Sequence, residues 1–167
     1  HFDRAIPGLQ DTRTKANAYS GRAECYRALS QPDRAIQDWT QAIRLDPGDP
    51  GNYVLRGGVY RSLGQSAKAN ENFIAATRIT PRDAAGYKGR GDAYDELDQP
   101  ERALEDFTES IRLGNRDSSV YVSRANTYYY RLRRYERAIE DYDTAIRLSP
   151  SDSLVYTNRG TSYAALG

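Results

Sequence analysis

Four arginines at one constant interval, Arg22, Arg56, Arg90 and Arg124, are the first candidates for chemistry in this 167-residue sequence. Guanidinium groups repeated in this way could form a basic stripe for RNA phosphates, since helical repeats of similar length can read nucleotides. A second column answers them: Asp38, Asp106 and Asp141, with Asn72 in the remaining place. Arginine and carboxylate recurring together point to internal ion pairs or hydrogen bonds rather than phosphate contacts. The sequence leaves open whether Arg56 pairs within its own unit or back to Asp38. Acidic pairs such as Asp95 with Glu96, or Glu105 with Asp106, are the candidates for acid–base work. Neighbouring residues on a helix point in different directions, and no nucleophile, oxyanion site or metal-ligand set accompanies them, so solvated charge is the better reading. His1 is the sole histidine and Cys25 the sole cysteine. No catalytic residue, cofactor or metal is therefore expected, no intrachain disulfide can form, and Cys25 reads as a small buried or half-buried filler beside a packing tyrosine.

The stretch "YYYRLRRYERA", Tyr128 to Ala138, raises the same question for an aromatic and basic patch. Overall charge gives it no help, because 24 Lys and Arg face 23 Asp and Glu. No net field draws the chain to a phosphate backbone or an anionic surface, and no apolar run approaches the roughly 20 residues of a membrane span. Neither a nucleic-acid nor a membrane partner is expected. Hydrophobic residues make up only 38 % against 28 % charged, and tyrosine far outnumbers phenylalanine and tryptophan, which suits a surface-rich, elongated molecule with an amphipathic core. The sequence has no methionine and is expected to be a fragment of a longer chain. Absence of disulfides favours the cytoplasm without excluding an exported fragment.

The elements that would position these residues follow a ruler of 34 residues. Tyr19, Tyr53, Tyr87 and Tyr121 obey it, as do Tyr26, Tyr60, Tyr94 and Tyr128. Each unit continues through Leu29, Leu63 and Leu97, through Ala35, Ala69 and Ala103, and through Trp39, Phe73 and Phe107. A fourth unit runs Leu132, Ala138, Tyr142, Ala145, and a fifth opens with Tyr156, Arg159, Gly160, Tyr163 and Leu166. Spacings of three and four residues, as in Tyr53, Gly57 and Tyr60 or in Ala69, Phe73 and Ala76, put each set on one helix face, two helices per unit. Ala23, Gly57, Gly91, Ala125 and Gly160 would let paired helices approach closely. Asp49, Asp83, Asp117 and Asp152 are expected N-caps; Pro32, Pro50 and Pro100 suit first helical positions, and Pro47, Pro81 and Pro150 end second helices. Gly114 and Asn115 can replace the proline turn in the third unit.

These columns resemble the tetratricopeptide repeat family over about residues 16 to 167. The resemblance implies an all-α helix-turn-helix solenoid with a right-handed superhelix, whose concave surface is lined by first helices and binds a peptide or partner protein. Units are expected at 16–49, 50–83, 84–117, 118–152 and a partial 153–167. Residues 1–15 are expected to form an irregular cap, beginning near Pro7, or the remnant of a preceding repeat.

Function is sought where the units disagree, because a packing column faces the same neighbour in every repeat while a ligand column is free to vary. One such stripe on the first helices holds Glu24 and Arg27, then Arg61, then Lys88, Asp92 and Asp95, then Asn126 and Tyr129. In the family this stripe lines the groove, and with Tyr130 these residues are the expected contacts for a peptide or protein segment of mixed character. The family's carboxylate clamp is not matched, since Asp92 stands where it would want Asn and Val122 where it would want Lys. Self-association is the alternative, because the helix over 153–166 carries a packing face for a second helix. Two irregularities remain. Asn70 and Thr77 replace apolar residues in the second unit, consistent with a loosened, hydrated junction or a further contact surface. Leu132, Ala138 and Tyr142 each fall one residue late, so an extra residue lies between Tyr128 and Leu132, read as a lengthened closing turn in preference to a π-bulge.

Overall fold

The structure is a computed structural model that describes Ile6 and residues 11–167. The expected cap near Pro7 lies for the most part outside the described residues. Regular structure among them is helical throughout: α1 (Thr12–Ala28), α2 (Pro32–Leu45), α3 (Pro50–Ser62), α4 (Ser66–Thr77), α5 (Ala84–Glu96), α6 (Pro100–Arg112), α7 (Ser118–Asn126), a π-helical turn (Thr127–Arg131), α8 (Tyr135–Leu148) and α9 (Ser153–Leu166). The chain divides into two compact units, His1–Pro81 with α1 to α4 and Arg82–Gly167 with α5 to α9.

The helix starts follow the capping chemistry of the sequence. Asp49, Asp83, Asp117 and Asp152 each accept a hydrogen bond from a first-turn amide, at 2.9, 2.9, 2.8 and 3.1 Å. Asp11 does the same for α1 by accepting from Thr14 N at 2.6 Å, so that helix begins four residues before the expected start of the first unit. Pro32, Pro50 and Pro100 occupy the opening turns of α2, α3 and α6, where a missing amide hydrogen costs nothing.

Within each unit consecutive helices pair antiparallel, and one large aromatic from the second helix fills the space between them. Trp39, Phe73, Phe107 and Tyr142 are all at most 2 % exposed. Burial of each contributes on the order of 2–3 kcal/mol. They fit because the facing residue is small: a Cβ built on Gly57 would lie 2.7 Å from Phe73 Cε1, and one on Gly91 2.8 Å from Phe107 Cε1. In the first unit Ala23, Ala35, Trp39 and Val59 form the core; in the second, Phe107 with Val120 and Tyr142 with Ala125 and Val155 do so. Trp39 Nε1 is a buried donor with no partner, whereas the Tyr142 hydroxyl donates to Asn126 Oδ1 at 2.6 Å.

The extra residue of the fourth repeat enters the helix, not the turn, which corrects the sequence reading. Three closing turns are alike: Ser30, Gly64 and Asp98 take positive φ, and the next residue's amide bonds back to the carbonyl of Tyr26, Tyr60 or Tyr94, each at 2.9 Å. Arg133 (φ 52°) keeps the left-handed closing residue, but Arg134 N bonds back to Tyr128 O at 2.8 Å across six residues where the other three turns span five. The surplus is absorbed upstream in the π-helical turn, where Leu132 N reaches Thr127 O at 3.3 Å.

Cys25 is also corrected. It is exposed, while Val59, Ala93 and Thr127 in the same column are buried. Asn70 on α4 is exposed, and Thr77 closes its hydroxyl onto Ile74 O at 2.9 Å. The division between the two compact units falls immediately after this polar-faced helix.

Candidate functional site

The arginine column is turned inward and consumed by the fold. Arg22 donates through Nε and Nη2 to Asp38 at 2.6 and 2.7 Å, Arg90 to Asp106 at 2.7 and 2.7 Å, and Arg124 to Asp141 at 2.7 and 2.7 Å. These are two-pronged guanidinium–carboxylate pairs, with the aspartates only 7–8 % exposed. Each pair joins the two helices of one repeat. Arg56 follows the same rule, binding Asn72 Oδ1 in its own repeat at 2.9 Å, and it also reaches back to Thr40 Oγ1 at 3.0 Å. Tyrosines complete the setting: the Arg22 guanidinium lies 5.4 and 5.7 Å from the rings of Tyr19 and Tyr26, and Arg90 5.6 and 5.8 Å from Tyr87 and Tyr94. Hydrogen bonding to Asp106 and Asp141 raises Arg90 and Arg124 above the ordinary arginine value against the opposing effect of burial.

In the first compact unit the variable stripe presents Glu24 and Arg27 as a surface pair, 2.7 Å apart and one turn apart on α1. Arg61 is exposed on α3, with its guanidinium 5.8 Å from the Phe73 ring.

In the second unit the stripe is more tightly organised. Lys88 pairs with Asp92 along α5 at 2.7 Å, and Asp92 Oδ1 accepts from Ser123 Oγ on α7 at 2.9 Å. One turn on, Asp95 Oδ1 accepts from Thr127 Oγ1 at 2.9 Å, and Arg131 donates to the Asp95 carbonyl at 3.1 Å. Arg131 also lies 3.5 Å from Asp98. The π-helical turn is thus pinned to the end of α5. Asn126 gives its Oδ1 to Tyr142, which leaves its Nδ2 as the group that can donate elsewhere. Tyr129 packs on the Tyr142 cluster and meets Tyr130 and Tyr135 with ring centroids 4.7 and 5.4 Å apart. Tyr130 is 62 % exposed. The structure therefore brings Lys88, Asp92, Asp95, Asn126, Tyr129 and Tyr130 onto the adjoining first helices α5 and α7 with its π-helical extension. Asp92 and Asp95 spend carboxylate oxygens on holding one repeat to the next, and Asn126 spends its amide oxygen on the second helix of its own repeat. Ser123, Thr127 and Arg131 were missed by the sequence reading. Their signal was a pair of hydroxyls four residues apart on one helix, matching Asp92 and Asp95 on the one before.

Among the described residues no cluster of three metal-ligating side chains occurs, and no helix is long and apolar enough to cross a membrane.

The helix pairs, their closing turns and the filled aromatic seats define a helical-repeat module. Sequence profiles of the tetratricopeptide repeat match residues 16–49 and 55–118, and a TPR repeat profile matches residues 127–167; the chain belongs to the tetratricopeptide repeat family. Comparison with curated protein sequences gives no match. Among solved structures it is similar to YrrB, described as a TPR protein with an unusual peptide-binding site (21 % identity, 98 % of this chain and 82 % of that one, TM-score 0.53). It is similar also to TTC0263, a thermophilic TPR protein of Thermus thermophilus (20 % identity, 98 % and 87 % covered, TM-score 0.69). Human IFIT1, solved as a dimer with m7Gppp-AAAA, shares the fold at 14 % identity over 99 % of this chain and 41 % of that one, with a TM-score of 0.75.

Proposed function

We propose that the protein is a non-catalytic scaffold that holds a peptide or protein segment against its first helices, with α5 and α7 as the main contact area. The observation that carries this reading is the pair of hydroxyl–carboxylate ties, Ser123 to Asp92 and Thr127 to Asp95, which fix α5 beside α7 before any partner arrives. A surface held in advance loses less conformational freedom on binding. Lys88, Asn126 Nδ2 and the exposed ring of Tyr130 then offer a cation, an amide donor and a flat apolar face, a mixture suited to an extended peptide. The peptide-binding site named for YrrB supports the same class of ligand. A nucleotide ligand like that of the IFIT1 complex fits less well, because the arginine column is spent on internal aspartates and tyrosines.

Peptides selected from a random library on this chain provide the test. Tyr130→Ala should weaken their binding roughly tenfold, as loss of a tyrosine hot spot does, while the thermal midpoint stays in place because Tyr130 is exposed. Wild-type affinity in that variant would sink the assignment. Selection that yields only peptides indifferent to Tyr130, Lys88 and Asn126 would do the same.

A further inference from the structure

Three of the closing turns carry the same lock on a cation. Arg34, Lys68 and Arg102 donate to the side-chain oxygens of Gln31, Gln65 and Gln99 at 3.1, 2.9 and 3.0 Å. Each also lies over a tyrosine of the first helix, Tyr26, Tyr60 or Tyr94, at 5.6, 5.3 and 5.2 Å from the ring centre. The fourth turn lacks the glutamine. Arg134 stands in its place, and a guanidinium has no acceptor to offer, so Arg137 turns to Glu140 Oε2 at 2.9 Å instead.

What the lock gives up, the surface gains. Arg133 and Arg134 are exposed, and neither meets a carboxylate among the described residues. Residues 127–137 hold four arginines against a single carboxylate, Glu136. Tyr135 takes the place that Pro32 and Pro100 hold in their repeats, and its ring lies 5.4 Å from that of Tyr129, which meets Tyr130 edge to face at 4.7 Å and 81°. The π-helical turn that carries Tyr129 and Tyr130 is itself tied to Asp95 through Thr127 and Arg131. Two exposed cations and a corner of aromatic rings therefore share one anchored turn.

We propose that this turn receives an acidic peptide segment, a short run of Asp and Glu around one aromatic side chain. The carboxylates close on Arg133 and Arg134 in two-pronged bonds of the kind that Arg90 and Arg124 make inside the fold, and the aromatic packs into the corner of Tyr130 and Tyr135. The inference names the partner chemistry of the α5–α7 contact area and rests on that reading. Positive character is confined to the turn, because Asp92, Asp95 and the exposed Asp98 stand along α5 and just beyond it. A nucleic-acid strand, charged at every link, would have to cross them, whereas a peptide can place neutral or basic residues there.

Fluorescein-labelled GSDEYEDSG, titrated with the 167-residue chain by anisotropy, is the probe. Saturable binding is expected, falling with added salt and at least roughly tenfold weaker for the neutral counterpart GSNQYQNSG. Arg133→Gly combined with Arg134→Gln gives the turn the side chains of Gly64 and Gln65. This double variant should bind the acidic probe no better than the neutral one, with the circular-dichroism melt retained because glycine accepts the positive φ. Equal binding of the two probes, parent-like affinity in the double variant, or no binding up to about millimolar peptide overturns the proposal. Tighter binding of GSNQYQNSG phosphorylated on its tyrosine, or displacement of the probe by less oligouridylate than unlabelled GSDEYEDSG, would assign the turn to phosphate groups and overturn it too. Library peptides that depend on Tyr130 yet carry no excess of Asp and Glu would remove the acidic preference and leave the scaffold reading in place; a library that yields no binder removes both.

Discussion

Repeats two and three solve one problem with different chemistry. In repeat three, Arg90 lies between two tyrosines and grips Asp106 with two short hydrogen bonds. In repeat two, Arg56 has only the neutral Oδ1 of Asn72 in that place, and Asn72 turns its Nδ2 to Lys68 O at 2.7 Å. Burial lowers Arg56 below the ordinary arginine value, whereas the bond to Asp106 raises Arg90. The scaffold position thus demands an acceptor at a given point in space, not a negative charge. Where the charge is present it compensates a partly buried cation; where it is absent the cation stays under tension. Asp106→Ala should therefore cost about 3 kcal/mol, because it removes the carboxylate that the partly buried Arg90 grips. Asn72→Ala should cost only about 1 kcal/mol, the value of one neutral hydrogen bond. Urea unfolding midpoints of the two variants check the contrast, and equal losses would remove it. The reverse exchange, Asn72→Asp, should stabilise repeat two.

The comparison sharpens at the glycines, where both repeats agree. Gly91→Ala would drive a Cβ to within 2.8 Å of the Phe107 ring and 3.3 Å of the Ala103 carbonyl. Overpacking of this kind costs about 1–3 kcal/mol. The melting midpoint of Gly91→Ala should fall although alanine is the better helix former, and an unchanged midpoint would show that the α5–α6 pair yields more than its packing suggests.

The repeat, the caps, the aromatic seats and the arginine–aspartate pairing were legible because each recurs, so that every unit checks the others. Arg56 could not be assigned from spacing: its own repeat and the one before each offer an acceptor 16 residues away, and it uses both Asn72 and Thr40. The π-helical turn was misread because a residue count is blind to which of two adjacent segments takes the surplus. What decides is the π-helical bond from Leu132 N to Thr127 O, together with Thr127 and Arg131 bonded to Asp95, and the contacts to Asp95 cross between helices. The stripe of variable residues was legible as a stripe. That Asp92 and Asp95 serve the junction between repeats, and Asn126 the pairing within its own, was not, because their partners, Ser123, Thr127 and Tyr142, look unremarkable in the sequence.

A smaller effect separates the two ends of the aromatic column. Trp39 buries its Nε1 unpaired, while Tyr142 pairs its hydroxyl with Asn126. Burial raises Tyr142 above the ordinary phenol value, so the native state keeps this proton where the unfolded chain gives it up. The associated stability is complete below about pH 10 and is lost as pH rises through that value, by up to roughly 1.4 kcal/mol per pH unit. Tyr142→Phe should cost about 1 kcal/mol at neutral pH through the lost hydrogen bond and flatten the decline between about pH 9 and 11. A decline as steep as in the parent would place its origin in other groups.

The smallest expected change has the opposite sign and comes from the same column of small residues. Gly91 and Gly160 occupy equivalent places, yet one faces a phenylalanine ring and the other open space. In Gly160→Ala the new methyl group meets no neighbour, and the substitution keeps only its backbone consequence. Glycine in a helix interior is less favourable than alanine by roughly 0.5–1 kcal/mol, because the unfolded chain loses more freedom in folding it. The variant should accordingly melt slightly above the parent, while Gly91→Ala melts below it. Scanned together by circular dichroism, the two variants isolate what a seated aromatic does to a helix-pairing glycine. If both shifted in the same direction, residue type and not the occupied seat would govern this column.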